Sequence, residues 1–296
     1  MPRVMVLIVG LLLVGWAPLG CASLQVADEA TELGVMSFNI RNGRANDGEN
    51  SWQHRTELVY GVIRDAAPDI VGVQEAFDFQ LAGLAENLPA YAQLGEGRDG
   101  GTRGEHCSIL YLRNRFDVAD SGTFWLSDTP GEVSRTWGNH HHRVCTWARF
   151  VDRESGAAFY VYNTHFDHQS QNARFNSAVL IAQRIADRPT DDPVVLMGDF
   201  NAGEDNPVVR YLTGETIEGQ SPPVALADTF RVLHPDREGV GTGNGGYTGR
   251  VDGAKIDYVF VELGTQTLTA EIDQAPRDGR YPSDHYPVSA RIRLAP

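Results

Sequence analysis

Short apolar runs recur along the chain, and most of them end on a polar side chain. From Leu33 onward the pattern predicts strands over 34–40, 69–74, 106–112, 116–126, 143–151, 157–165, 193–199, 255–261, 266–273 and 286–294. Two segments follow the helical period instead: Leu58, Val59, Val62, Ile63 and Ala66, and then Phe175, Ala178, Val179, Ala182, Ile185 and Ala186. So many strands with so few helices do not suit one doubly wound sheet. The expectation is an α/β fold of two packed sheets covered by helices. No fixed-period repeat and no Pro/Ser linker divides the chain, so residues 33–296 are expected to form one domain. Residues 95–104 and the glycine-dense 239–253 read as loops. A strand rather than a helix follows the second, so a surface loop is expected there rather than a phosphate cradle.

The N-terminal segment has a different pattern. Arg3 is the only charge in the first 27 residues, and Val4 to Val14 is apolar apart from Gly10. This run is shorter than a membrane span and has the size of a secretory signal core. Residues 1–20 are expected to be removed on export, and residues 21–32 to form a tether. Leu19-Gly20-Cys21 resembles a bacterial lipoprotein cleavage box, which would make Cys21 a lipid anchor to the membrane. Ordinary cleavage near Ala22 or Ser23 is the alternative. Either way the protein is expected to be exported, to the periplasm or the cell surface. In such a compartment Cys107 and Cys145 can form a disulfide or remain two buried thiols.

Composition narrows the partners. The chain has 296 residues, a formal net charge of −14, and Lys255 as its only lysine. An acidic chain without a basic stripe weakens the case for nucleic acid as a partner. A monomer is expected.

The strand ends carry the chemistry. Val35 to Phe38 leads into Asn39, Ile70 to Val73 into Gln74-Glu75, Phe159 to Tyr162 into Asn163-Thr164-His165, and Val194 to Gly198 into Asp199-Phe200-Asn201. Asp257 lies inside Ile256 to Val261, and Asp284-His285 precedes the last strand. Ligand sites gather where strand ends meet loops. Glu75, Asp199, Asp257 and Asp284 are hard oxygen donors, suited to Mg²⁺ or Mn²⁺. His165 and His285 can bind phosphate or move protons. With no Gly-x-Ser-x-Gly elbow, water is the expected nucleophile.

In this order, Ser37-Phe38-Asn39-Ile40-Arg41, Gln74-Glu75, Asn163-Thr164-His165, Gly198-Asp199-Phe200-Asn201, Ile256-Asp257-Tyr258 and Ser283-Asp284-His285 resemble the signature of the endonuclease/exonuclease/phosphatase superfamily. The resemblance covers about residues 33–294. It implies a four-layer α/β sandwich of two mostly antiparallel mixed sheets, and divalent-metal hydrolysis of a phosphoester. It also implies roles. Glu75 would be the main metal ligand, with Asn39 and Asp284 beside it. Asp257 would orient His285, and Asp199 would orient or deprotonate the water. His165 and Asn201 would bind the phosphate oxygens, Asn201 facing the same side as Asp199 if the chain stays extended. Around this core, Arg143, Arg41, Asp167 and His168 are candidate substrate contacts. His140-His141-His142 reads as a loop rim.

The leading expectation is an exported phosphoester hydrolase acting on a small phosphorylated molecule such as a sugar phosphate. A nuclease, a phospholipid or sphingolipid phosphodiesterase and a silent binding lipoprotein are the alternatives.

Overall fold

A computed structural model describes residues 31–294, together with residues 1, 2, 4 and 5. The expected signal segment and Cys21 lie outside the described core. Twelve strands alternate with five α-helices among the described residues. In chain order they are β1 (Glu32–Asn39), α1 (Thr56–Ala66), β2 (Ile70–Ala76), α2 (Asp78–Asn87), β3 (Tyr91–Leu94), β4 (His106–Leu112), β5 (Phe116–Trp125), β6 (Val144–Asp152), β7 (Ala158–His165), α3 (Gln171–Ala186), β8 (Val194–Asp199), α4 (Pro207–Leu212), β9 (Leu226–Asp228), α5 (Thr229–Leu233), β10 (Asp257–Glu262), β11 (Gln266–Ile272) and β12 (Val288–Arg293).

The strands form two six-stranded sheets, ordered β11-β12-β1-β2-β4-β3 and β5-β6-β7-β8-β10-β9. Each sheet has one parallel pair, β1 with β2 and β7 with β8, and the remaining pairs are antiparallel.

Strand periodicity sorts the side chains into layers. On β7, Phe159 and Val161 pack between the sheets while Tyr160 and Tyr162 face the helices. On β8, Val195 and Met197 point inward, and Val194 and Leu196 outward. The outer face of the first sheet is covered by α1 and α2 through Val59, Val62, Ile63, Leu81 and Leu84. The second is covered by α3 and α4 through Ala178, Ile181, Ile185, Val208 and Leu212. The result is the expected four-layer sandwich.

A polar tie crosses the inter-sheet core. Asn163, fully buried on the inner face of β7, donates from Nδ2 to the carbonyls of Val73 at 3.0 Å and Ser108 at 2.8 Å. Its Oδ1 accepts from Gln74 Nε2 at 2.7 Å. Position 72 must be glycine for this contact, because a Cβ there would lie 2.6 Å from Asn163 Oδ1. A second buried polar pair lies at the far edge. Lys255 Nζ donates to Asp228 at 2.7 Å and sits 3.4 Å from the centroid of the Tyr258 ring, with no exposed side-chain surface.

Two expectations need correction. Residues 239–253 are not simply a surface loop, since Thr242 and Asn244 are fully buried. β3 and β9, of four and three residues, were not expected at all. Cys107 and Cys145, which the sequence left open, are buried free thiols.

Candidate active site

The inward positions at one end of the sandwich are polar. Along β1 the face that carries Val35 continues through Ser37 to Asn39. Along β7 it continues from Val161 through Asn163 to His165, and along β8 from Met197 to Asp199. Strand pairing places His165 beside Asp199, and Asp199 opposite Asp257. Three buried polar groups thus lie in register across the second sheet. The first sheet adds Asn39, Glu75 and, at the entry to β12, Asp284 and His285.

Glu75 reaches the site because the chain is irregular there. The pairing of β2 with β4 shifts between Val73 and Ala76, and Glu75 has φ of 61°. A bulge of this kind re-aims a side chain. Arg41 (61°) and Asn201 (48°) also have left-handed backbones, so three such residues surround one site, where strain is most often kept. Asn201 therefore does not continue the strand, contrary to the extended geometry expected. Its N–H donates to Asp199 Oδ1 at 2.9 Å and its Nδ2 to the Phe166 carbonyl at 3.1 Å, which keep it at the site edge by a turn.

His285 is held between two carboxylates. Its Nδ1 lies 2.9 Å from Asp257 Oδ2, and its Nε2 3.8 Å from Asp199 Oδ2. Burial alone would lower its proton affinity, but Asp257 and Asp199 outweigh burial and hold the ring protonated well above the usual histidine range. Asp199 Oδ2 also accepts from Asn39 Nδ2 at 3.0 Å and lies 3.4 Å from His165 Nε2. Burial, reinforced by the negative charge of Asp257, pushes the Asp199 carboxyl up to about 7. His165 goes the other way: burial, with Arg143 and His285 nearby, holds it neutral.

The residues can hold a divalent cation. Asp199, Asp257 and His285 bring three potential ligand atoms within 4.8 Å of one another. A ring protonated between its two carboxylates repels a cation, however, so the oxygens of Glu75 and Asp284 fit better, with Asn39 beside them, its Oδ1 accepting from the Arg41 N–H at 3.0 Å. Asn39 Nδ2 donates to Glu75 at 3.1 Å, and the Asn42 N–H donates to the other Glu75 oxygen at 2.8 Å. Burial works against the Glu75 charge, but His285 and these donors keep its carboxyl below the usual range. Burial raises Asp284, and the Glu75 charge raises it further. Two carboxylates whose charges repel each other in this way suit a hard cation shared by them.

The candidate substrate contacts divide. Arg143 is buried and lines a narrow cleft with Glu75, Arg98, Glu105, Cys107 and His165. Its Nε is buried without a hydrogen-bond partner, 4.0 Å from the Asp167 carboxylate, and its NH2 donates to His168 Nδ1 at 3.2 Å. His168 itself is exposed at the rim, where its ring lies 5.4 Å from His140 and 6.1 Å from His141. Arg41 is engaged with Asp47 at 3.0 Å and lies 3.4 Å from Asp284. Asp167 does not line the cleft but backs Arg143, its Oδ2 lying 4.0 Å from the Arg143 Nε. It is fully buried and accepts from the N–H groups of Gln169, Ser170 and His140, so it builds the loop after β7. Two contributors gave no motif signal. Asn42 donates to both Glu75 and Glu105, and Glu105 Oε2 accepts from Arg98 at 2.6 Å on the cleft wall.

Comparison with known proteins identifies relatives of this fold. The family model described as the endonuclease/exonuclease/phosphatase family matches residues 36–285. An endonuclease/exonuclease/phosphatase structure from Bacteroides vulgatus is 32% identical, with a TM-score of 0.77, and the match covers 90% of this chain and 100% of that one. A mannosyl-6-phosphatase from Bacteroides thetaiotaomicron is 29% identical with a TM-score of 0.77, covering 89% and 99%. A protein of Acanthamoeba polyphaga mimivirus is 28% identical over 182 residues, 57% of this chain and 67% of that one.

Proposed function

The chain belongs to the endonuclease/exonuclease/phosphatase family and hydrolyses phosphoesters, and we propose that its substrate is a small phosphorylated molecule such as a sugar phosphate. The observation that carries the catalytic reading is the His165–Asp199–Asp257 register with His285 bridging the two carboxylates.

In this reading the scissile phosphate sits at the mouth formed by Asp199, His165 and His285. Asp199, poised near neutrality, takes a proton from the attacking water. Asp257 fixes the ring of His285, whose other N–H faces the developing charge. His165, neutral, and Asn201 donate hydrogen bonds to non-bridging oxygens. Arg143, which lines the cleft, offers its guanidinium to the same group. Glu75, Asp284 and Asn39 would hold Mg²⁺ or Mn²⁺, which supplies charge neutralisation at the phosphoryl oxygens.

A small substrate is supported by the acids beside the site, Glu75 and Glu105, and by the net charge of −14. The likeness to a mannosyl-6-phosphatase points the same way. We further propose export with Cys21 as lipid anchor, from the sequence alone. Labelling with a fatty-acid analogue marks wild type and not Cys21→Ser if this holds.

The deciding experiment is a panel of sugar phosphates, nucleotides and supercoiled plasmid with Mg²⁺ or Mn²⁺. Phosphate release from a small ester with slow plasmid nicking is expected. Rapid nicking with no turnover of any small ester would make the protein a nuclease.

A further inference from the structure

Asp257 and His285 come from different sheets. β10 is in the second sheet and β12, which follows His285, is in the first. No ladder pairs the two strands, so neither sheet by itself fixes the 2.9 Å contact between Asp257 and His285.

The glycine-dense segment makes the connection. Thr242 is fully buried, and its Oγ accepts from the backbone N–H of Ile256 at 2.9 Å and of Asp257 at 3.1 Å. Its carbonyl accepts from the N–H of Tyr286 at 2.7 Å, and its own N–H donates to the Ala254 carbonyl at 3.3 Å. One residue therefore binds the backbone at Asp257 and the backbone just after His285. Asn244, also fully buried, does the same for the preceding residues. Its N–H donates to the Asp284 carbonyl at 2.8 Å and its Nδ2 to the Ser283 carbonyl at 2.7 Å. Gly243 between them forms a bridge with His285. Residues 242–244 thus lie across the ends of both sheets as a common strap.

We propose that Thr242 is a positioning residue that sets Asp257 against His285 through its side-chain oxygen. The proposal rests on the reading that His285 and Asp257 act together on the phosphoester. Thr242 has no contact with substrate in this scheme. It acts because the hydroxyl takes the backbone N–H groups of Ile256 and Asp257, while its carbonyl holds the His285 side. A misplacement of about 1 Å in such a pair costs on the order of 10²-fold in rate.

The test compares Thr242→Val, which keeps the shape and loses the acceptor, with Thr242→Ser, which keeps the hydroxyl. Thr229→Val is the control. Thr229 is equally buried, and its hydroxyl donates to the Val259 carbonyl at 2.8 Å on the same strand, away from the dyad. Three quantities are read on the full chain: kcat and KM on a turned-over phosphoester, thermal stability, and the downfield proton resonance of His285 Nδ1. Thr242→Val is expected to lose at least about tenfold in kcat with KM within about twofold, and to shift or broaden the resonance. Thr242→Ser should restore both, and Thr229→Val should lower stability with kcat and the resonance unchanged.

The proposal is overturned if Thr242→Val keeps wild-type kcat and resonance, or if Thr229→Val loses as much kcat. Should Thr242→Val fail to fold, Thr242→Cys, a weak acceptor of similar size, takes its place under the same criteria. Wild type without turnover on any phosphoester would overturn the functional reading alone, because the resonance still reports whether Thr242 holds the dyad.

Discussion

Asn163→Ala tests how much of the site depends on the tie between the sheets. The side chain donates to two carbonyls, those of Val73 and Ser108, and accepts from Gln74. After truncation Gln74 Nε2 keeps two partners, Ser37 Oγ at 3.2 Å and the Gly72 carbonyl at 3.1 Å. The two carbonyls lose their side-chain donor in a dry interior. At about 1–3 kcal/mol for each buried group deprived of its partner, the loss is about 2–6 kcal/mol. That is a large share of a total stability of about 5–15 kcal/mol. For a domain of this size it lowers Tm by roughly 5–20 °C. The measurements are thermal melts and urea midpoints, with kcat at a temperature where the variant stays folded. Activity should fall beyond the unfolded fraction, because Val73 lies two residues before Glu75 and Asn163 two before His165. Asn163→Asp keeps the shape but replaces the donor by an oxygen, so it should be at least as damaging as alanine. A melt of Asn163→Ala within about 2 °C of wild type would refute the reasoning.

Glu75→Ala should abolish metal-dependent hydrolysis and weaken Mg²⁺ or Mn²⁺ binding in a calorimetric titration while the melt persists; full wild-type activity in excess chelator would contradict this. Gly198→Ala should cost about 2 kcal/mol or more, because a Cβ would lie 2.1 Å from the Thr164 carbonyl on a backbone with φ of 152°, and a urea midpoint equal to wild type would rule that out. Burial works against the Asp167 charge, but the N–H groups of Ser170, Gln169 and His140 hold its carboxyl below the usual range. Its contribution is therefore present above the unfolded carboxyl value near 4 and disappears as pH falls through the lowered folded value. Asp167→Asn should be less stable than wild type at pH 7, with the gap narrowing in acid; a constant gap in urea midpoints across pH would exclude the ionic origin. Arg143→Lys should raise KM for a small phosphoester at least about tenfold, since the planar fork is lost, and an unchanged KM would remove Arg143 from phosphate binding.

Much of this arrangement was legible in the sequence, for local reasons. Strands such as β7 and β8 announce themselves by apolar runs, and the polar residue at each end follows from where the run stops. What was not legible depends on contacts distant in sequence. Asp167 follows the His165 motif by two residues and invites a substrate role, but its partners include His140, 27 residues earlier. Thr242 and Asn244 lie among glycines that read as a loop, and their burial depends on Asp257, Ser283, Asp284 and Tyr286. Only the glycine density hinted that backbone must pass close to backbone there. β3 and β9 are too short to carry a pattern, and they form because β4 and β10 offer them an edge. Asn201 escaped the extended reading because the turn after β8 needs a left-handed residue, which a strand pattern does not register.

The buried pair of Lys255 and Asp228 gives the folded protein an unusual chemical surface. The chain's only ε-amine is enclosed against Tyr258. Amine-directed reagents, from acylating labels to aldehyde cross-linkers, therefore find no lysine on the outside of the native fold. Reaction at residue 255 would require the edge around β9 and β10 to open. The rate at which a pulse of acylating reagent marks that residue is then a clock for opening of this edge, read by mass spectrometry at one site and without an introduced probe.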